Sequence, residues 1–213
     1  MILMTRRSMM TGLLGVTVLP GCAALSAFGE ATAVLDAYDL RAPDLPQAGR
    51  TLGRALSIEP PTTSGALDTD RIMIRPSPVQ ALYLPGARWS EDTPALLQTL
   101  MLRSFDDTGA LTYVGRRPIG ATGDVALLTE ITDFQAELDA DGSSALIRLR
   151  VVARMIRESD AQVLARRTFT ALAPSASTDT LEIVQAFNMA SDQLLTDLVR
   201  WGLGVIGVQL PAV

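Results

Sequence analysis

The sequence predicts a single α/β domain, α+β in its chain order, in which a mixed, mostly antiparallel sheet with a three-strand meander is packed by two main helices. Three observations carry that expectation. Residues 125–172 alternate apolar and polar side chains over three long runs, separated by turns short enough to force antiparallel neighbours. Two further segments, beginning near residues 93 and 180, space their apolar residues by three and four behind helix-starting residues. A content of 48% hydrophobic and 19% charged residues suits a folded domain with a real core.

Taken in order, Ala37 to Leu40 reads as a first short strand, followed by a loop containing Pro43, Pro46 and Gly49. Leu52 to Ile58 is the next strand, stopped at Pro60-Pro61 because proline cannot donate to a ladder. Arg71 to Arg75 and Val79 to Leu84 read as adjacent short strands, joined through Pro76 and Pro78 by a connection that cannot continue a central ladder. Thr93 is the expected N-cap of the first helix, with Pro94 at its first position and Glu91 and Asp92 beside the positive end of its dipole. Leu96, Leu97, Leu100, Met101, Ser104 and Phe105 form its buried face, and it ends near Gly109. The meander comprises Val125 to Leu138, Ser144 to Arg157 and Ala161 to Leu172, turned by Asp139-Ala140-Asp141-Gly142 and by Glu158-Ser159-Asp160. Beyond Pro174, Asp179 and Glu182 have the spacing of a capping box and open a long last helix. Its buried stripe is Val184, Phe187, Ser191, Leu194, Leu198 and Trp201. Gly202 and Gly204 are expected to end or fray it, leaving a short apolar tail to Val213.

On the second long strand Ala145, Ile147, Leu149, Val151, Ala153 and Met155 face one way, while Arg148, Arg150 and Arg154 face the other. This arginine row is either a surface for a partner or an anionic headgroup, or a solvated face paired across strands with groups such as Glu130 and Thr132. The latter is the simpler account.

The first residues have a different character. Arg6 and Arg7 precede an uncharged run from Ser8 to Leu19, and Pro20 and Gly21 lead into Cys22, the one cysteine of the chain. A basic start, a short apolar run and a small-residue cleavage site are the parts of an export signal. The run is too short to span a bilayer, which takes roughly 20 residues. The Leu-x-Gly-Cys pattern is similar to the cleavage box of bacterial lipoproteins, in which the cysteine becomes the acylated N-terminus. Residues 1–21 are thus expected to be a signal peptide, 22–34 an acylated tether, 35–203 the domain and 204–213 a tail. The Arg6-Arg7 pair leaves general and twin-arginine export both open. Ala23 stands where aspartate retains enteric lipoproteins in the inner membrane, so by that resemblance the outer membrane is the expected destination.

Composition narrows the chemistry. The absence of histidine removes Ser-His-Asp and Cys-His nucleophiles and histidine-bearing metal sites. A single cysteine excludes an internal disulfide or a thiolate cluster. The acidic pairs Asp106-Asp107 and Asp139/Asp141 lie beside Gly109 and Gly142, where short acids serve turns. A net charge of -5 argues against a nucleic-acid partner. No enzyme activity, cofactor or metal is expected.

The order of motifs resembles the ABC-type transport auxiliary lipoprotein family, the paraquat-inducible operon type that works beside MCE (mammalian cell entry) lipid-transport proteins. The residues that carry the resemblance are Cys22, Tyr38-Asp39-Leu40, Leu67-Asp68-Thr69-Asp70-Arg71-Ile72, Tyr83, Ala87-Arg88-Trp89, the leucine-rich helix from Pro94, the three long strands and Phe187-Asn188. The resemblance implies a non-catalytic α/β lipoprotein on the periplasmic side of the Gram-negative envelope. It also implies an MCE-domain protein with an ABC permease and ATPase as partners, a lipid or other hydrophobic compound as cargo or ligand, and homo-oligomeric rings in some members. Lipidation of Cys22 is the one residue role it transfers. Arg88 and Trp89 are candidates for a shared partner surface, although a tryptophan just before a helix is more often core. The alternative is a stand-alone ligand-binding or assembly-chaperone lipoprotein of the outer membrane.

Overall fold

The computed structural model describes residues 34–117 and 123–212, and places nine strands and two helices among them. These are β1 (Asp36–Tyr38), β2 (Leu52–Ile58), β3 (Thr62–Thr63), β4 (Arg71–Ser77), β5 (Gln80–Trp89), α1 (Thr93–Asp106), β6 (Leu111–Gly115), β7 (Val125–Leu138), β8 (Ala145–Arg157), β9 (Gln162–Ser175) and α2 (Thr180–Val205). The fold is the expected mixed α/β domain, with one sheet and two helices.

Strand β7 organises the sheet. Along one edge β8 runs antiparallel over its full length, and β9 pairs antiparallel outside β8. The other edge is shared in succession by β2, β3 and β4, all parallel to β7: Leu56 lies beside Val125, Thr62 beside Glu130 and Met73 beside Gln135. The chain therefore climbs one edge of β7 in three steps, with residues 64–70 looped out between the last two. Hydroxyls of Thr62 and Thr63 tie the middle step down by donating to the carbonyls of Thr129 and Ile131. Beyond that edge the sheet forks, β2 carrying β6 and β4 carrying β5 and then β1. The long ladders are antiparallel and the short ones mostly parallel, which is why the antiparallel meander dominates the sequence pattern.

Both helices cover one face of this sheet. Ile147, Leu149, Val151, Ala153 and Met155 of β8 are buried beneath α2, as the period-2 pattern requires. Trp89, Phe134 and Phe187 meet at the centre: the tryptophan stands edge-on to both phenylalanines, with ring centroids 6.1 and 5.2 Å away. Such aromatic pairs add about 0.5–1.5 kcal/mol each beyond the area they bury. Phe169 and Trp201 form a second edge-on pair at 5.5 Å.

Several details depart from the sequence expectations. The N-cap of α1 is Asp92, one residue before Thr93, and it makes no side-chain cap; the Thr93 amide and hydroxyl both donate instead to the carbonyl of Thr69. Asp179 caps α2 by position, but the Asp179–Glu182 box does not form a side-chain bond. Strand β5 runs on to Trp89, and β3 and β6 were not foreseen. Pro76 sits inside β4 where its pairing with β7 has already stopped at Arg75. Pro174 lies within β9, an edge strand among the described residues, which is where a sheet tolerates proline. Helix α2 continues through Gly202 and Gly204 to Val205, and Ile206 and Val208 bury their side chains. Gly207, at a φ of +88°, closes it: the Val208 amide donates to the Leu203 carbonyl and the Gly207 amide to that of Gly204.

Candidate functional site

The motif residues that lie far apart in sequence meet along one seam. β1 pairs in parallel with the end of β5, Tyr38 beside Trp89, and the Ser90 amide donates to the Tyr38 carbonyl at 2.8 Å. The Trp89 amide donates to the Asp70 carbonyl at 2.6 Å, while the Asp70 carboxylate takes the Arg88 guanidinium at 3.4 Å. Leu40 is buried, and just beyond it the Arg41 amide donates to the side-chain oxygen of Asn188 on α2 at 2.9 Å. Its neighbour Phe187 fills the aromatic centre. The seam thus fastens the point where the chain enters the domain to the sheet, to the loop before β4 and to the last helix. Apart from the half-exposed Arg88–Asp70 pair and the Asn188 side chain, its contacts are backbone hydrogen bonds and packed rings, an arrangement suited to holding.

Of the expected surface residues, Arg88 is half-exposed and Trp89 is 1% exposed. Trp89 serves the core, so the part of that pair open to a partner is Arg88.

The arginine row of β8 lies on the face turned away from the helices. Arg148 makes a two-pronged contact with Glu137, its Nε and Nη2 donating at 2.8 and 3.0 Å. That contact, foremost the hydrogen bond, lowers the Glu137 carboxyl below its ordinary value and raises the Arg148 guanidinium. Arg154 reaches Glu130 at 3.7 Å, and Arg166 lies directly across from it on β9. Arg150 lies across from Asp133, and its carbonyl accepts the Thr132 hydroxyl. The row is brought together on one face but apart from Arg88, and two of its three members are paired across strands. These pairs are 32–46% exposed, where each contributes about 1 kcal/mol or less.

The acidic candidates resolve into structural parts. Asp139 accepts from the Ser144 hydroxyl at 2.7 Å and from the amides of Ser143 and Ser144, holding the β7–β8 turn, and these bonds lower its carboxyl to about 2. Asp106 and Asp107 end α1. Glu158, read from sequence as a turn residue, also accepts from Ser57 and Gly123 and ties β2 to the β8–β9 hairpin; no local sequence signal announces a contact of that range. A shallow open cleft beside the end of β4 is lined by Arg75, Asp133, Gln135 and Glu137. Among the described residues no cluster of three acids, histidines or cysteines has metal-holding geometry, and no helix is long and apolar enough to cross a membrane. Cys22 lies outside the described residues.

Comparison with known proteins adds the following. The sequence profile of a family described as the ABC-type transport auxiliary lipoprotein component matches residues 38–199. An uncharacterised protein of Bradyrhizobium diazoefficiens is 27% identical over 177 residues, covering 81% of this chain and 46% of that protein. The chain thus spans about half the length of the curated relative it matches. The crystal structure of protein XCC0632 from Xanthomonas campestris superposes with a TM-score of 0.67 at 29% identity, covering 80% of this chain and 94% of that one. The crystal structure of a second uncharacterised protein shares the fold with a TM-score of 0.59 at 16% identity, covering 77% and 99%.

Proposed function

The chain belongs to the family of ABC-type transport auxiliary lipoprotein components, and from that premise we propose that it is a non-catalytic adaptor, anchored by acylated Cys22 on the periplasmic side of the outer membrane, in an ABC/MCE-type system that moves lipids or other hydrophobic compounds. Membership in itself associates the chain with an ABC transport system and with the envelope. The observation that supports the finer reading is the seam, where the motif residues lock the tether-proximal strand onto the sheet and α2. A domain so fastened can pass force and orientation between a membrane anchor and a docked partner. Its partners are then an MCE-domain protein, a permease and an ATPase. The exposed half of Arg88 and the row Arg148, Arg150 and Arg154 are the polar surfaces available to them.

Purification of the acylated chain from gently solubilised membranes, with partners identified by mass spectrometry, tests this. Recovery of an ABC permease, its ATPase or an MCE-domain protein is the expected result. Recovery of outer-membrane assembly components alone would replace it with the assembly-chaperone reading.

A further inference from the structure

The hairpin joining β4 and β5 is built unlike the rest of the surface. From Pro76 to Ala87 the chain carries no charged side chain. Val79 at its tip is 96% exposed, and Leu82 and Tyr83 behind it are 44% and 38% exposed. The stretch Pro78 to Ala81 is exposed and extends beyond the last β4–β7 pair at Arg75, while Leu82 and Tyr83 stand opposite Ile74 and Met73, with Arg71 over the Tyr83 ring and the Tyr83 hydroxyl donating to the Ala66 carbonyl. The outer edge of the hairpin is bare: β1 pairs with β5 between Ala87 and Trp89 alone, leaving Gln80 to Leu84 without a strand partner there among the described residues. Natural proteins guard such edges with charges. This one has none.

Chain direction says what covers it. Because β1 is parallel to β5, the chain enters Asp36 from the side on which the hairpin lies. From Ala87 back to Val79 is about 27 Å of strand. The fourteen peptide steps from Cys22 to Asp36 reach at most about 50 Å. An anchor at Cys22 therefore keeps the tip within reach of the bilayer.

We propose that the tip of the β4–β5 hairpin, Pro78, Val79 and Leu82, dips into the lipid surface that carries the anchor and gives the domain a second point of contact. The inference rests on the acylated Cys22 proposed above. Insertion is shallow, because unpaired amides and carbonyls of the β5 edge cannot enter hydrocarbon. Asp139 and Asp141 turn β7 into β8 at the same end of the sheet, since Arg75 lies beside Glu137; Arg75, which donates to the Pro78 carbonyl at 3.4 Å, offsets one of these charges, and the remaining acidic charge favours zwitterionic over anionic lipid.

The test uses the full mature chain with Val79→Cys, carrying an environment-sensitive fluorophore, in vesicles of phosphatidylethanolamine and phosphatidylcholine. Gln193→Cys on the exposed face of α2 is the control. The expected result is a blue-shifted emission at 79, quenched by nitroxide-bearing lipids, and a water-like emission at 193. Water-like emission at both positions overturns the proposal, as does a blue shift at 79 that arises without vesicles, which would mean a protein partner on the edge. Cys22 is the one native thiol, so label uptake by the unsubstituted chain marks failure of the anchor itself. The hairpin is then judged alone, on the 79 label in a Cys22→Ser background.

Discussion

Asp139 shows how much a single side chain can say about this protein. Four donations from Ser143 and Ser144 fall on its carboxylate, and its pKa falls from 3.8 to about 2, first because of the Ser144 hydroxyl and then the Ser144 amide. A depressed carboxyl contributes stability that is present above its unfolded value and lost as pH falls through its folded value. Between pH 4 and pH 2 the melting temperature of the wild type should therefore fall more steeply than that of Asp139→Asn; parallel curves by circular dichroism would contradict this role. Its place in a turn was legible from the glycine beside it. The Arg148–Glu137 contact was not, because the pairing of Gln135 with Arg148 fixes who meets whom, and register is a property of two strands. The burial of Trp89 was half legible: a tryptophan ahead of a helix reads as core, but the residues that enclose it, Phe134 and Phe187, are brought there by β7 and α2.

The helix α2 tests the account at the scale of elements. Two glycines two residues apart read alike in sequence, as helix breakers, yet they do different work. A Cβ on Gly202 would lie 2.9 Å from the buried ring of Phe105, whereas one on Gly204 would meet nothing within 4 Å. Gly202→Ala should destabilise by about 1–2 kcal/mol, overpacking against a fixed ring outweighing the gain of about 1 kcal/mol in helix propensity. Gly204→Ala should stabilise by about 0.5–1 kcal/mol. Urea unfolding of the two variants decides this, and equal shifts of the same sign would refute the close approach of the helices. The long elements were legible because 13 or 14 residues of alternation leave little choice of period. The two residues of β3 and the five of β6 are too few to show one, and their parallel pairing to β7 and β2 comes from tertiary placement.

At the scale of the whole molecule, the sheet makes one strand the spine and spends its remaining edges on two limbs, and the limb ending in β1 receives the chain from its N-terminal side. Motif residues Tyr38 to Leu40, Asp70, Arg88 and Trp89 are gathered at the outer end of that limb, and Phe187 and Asn188 of α2 meet them there. They build a fastening at the first strand, which is what the proposed tether through Cys22 would require. The proposed membrane anchor depends on Cys22. Mass spectrometry of the mature protein extracted from membranes addresses it directly. The account predicts an N-terminal peptide that begins at Cys22 and carries acyl chains on its thiol. A chain cleaved elsewhere, or one whose Cys22 remains a free thiol, would contradict it.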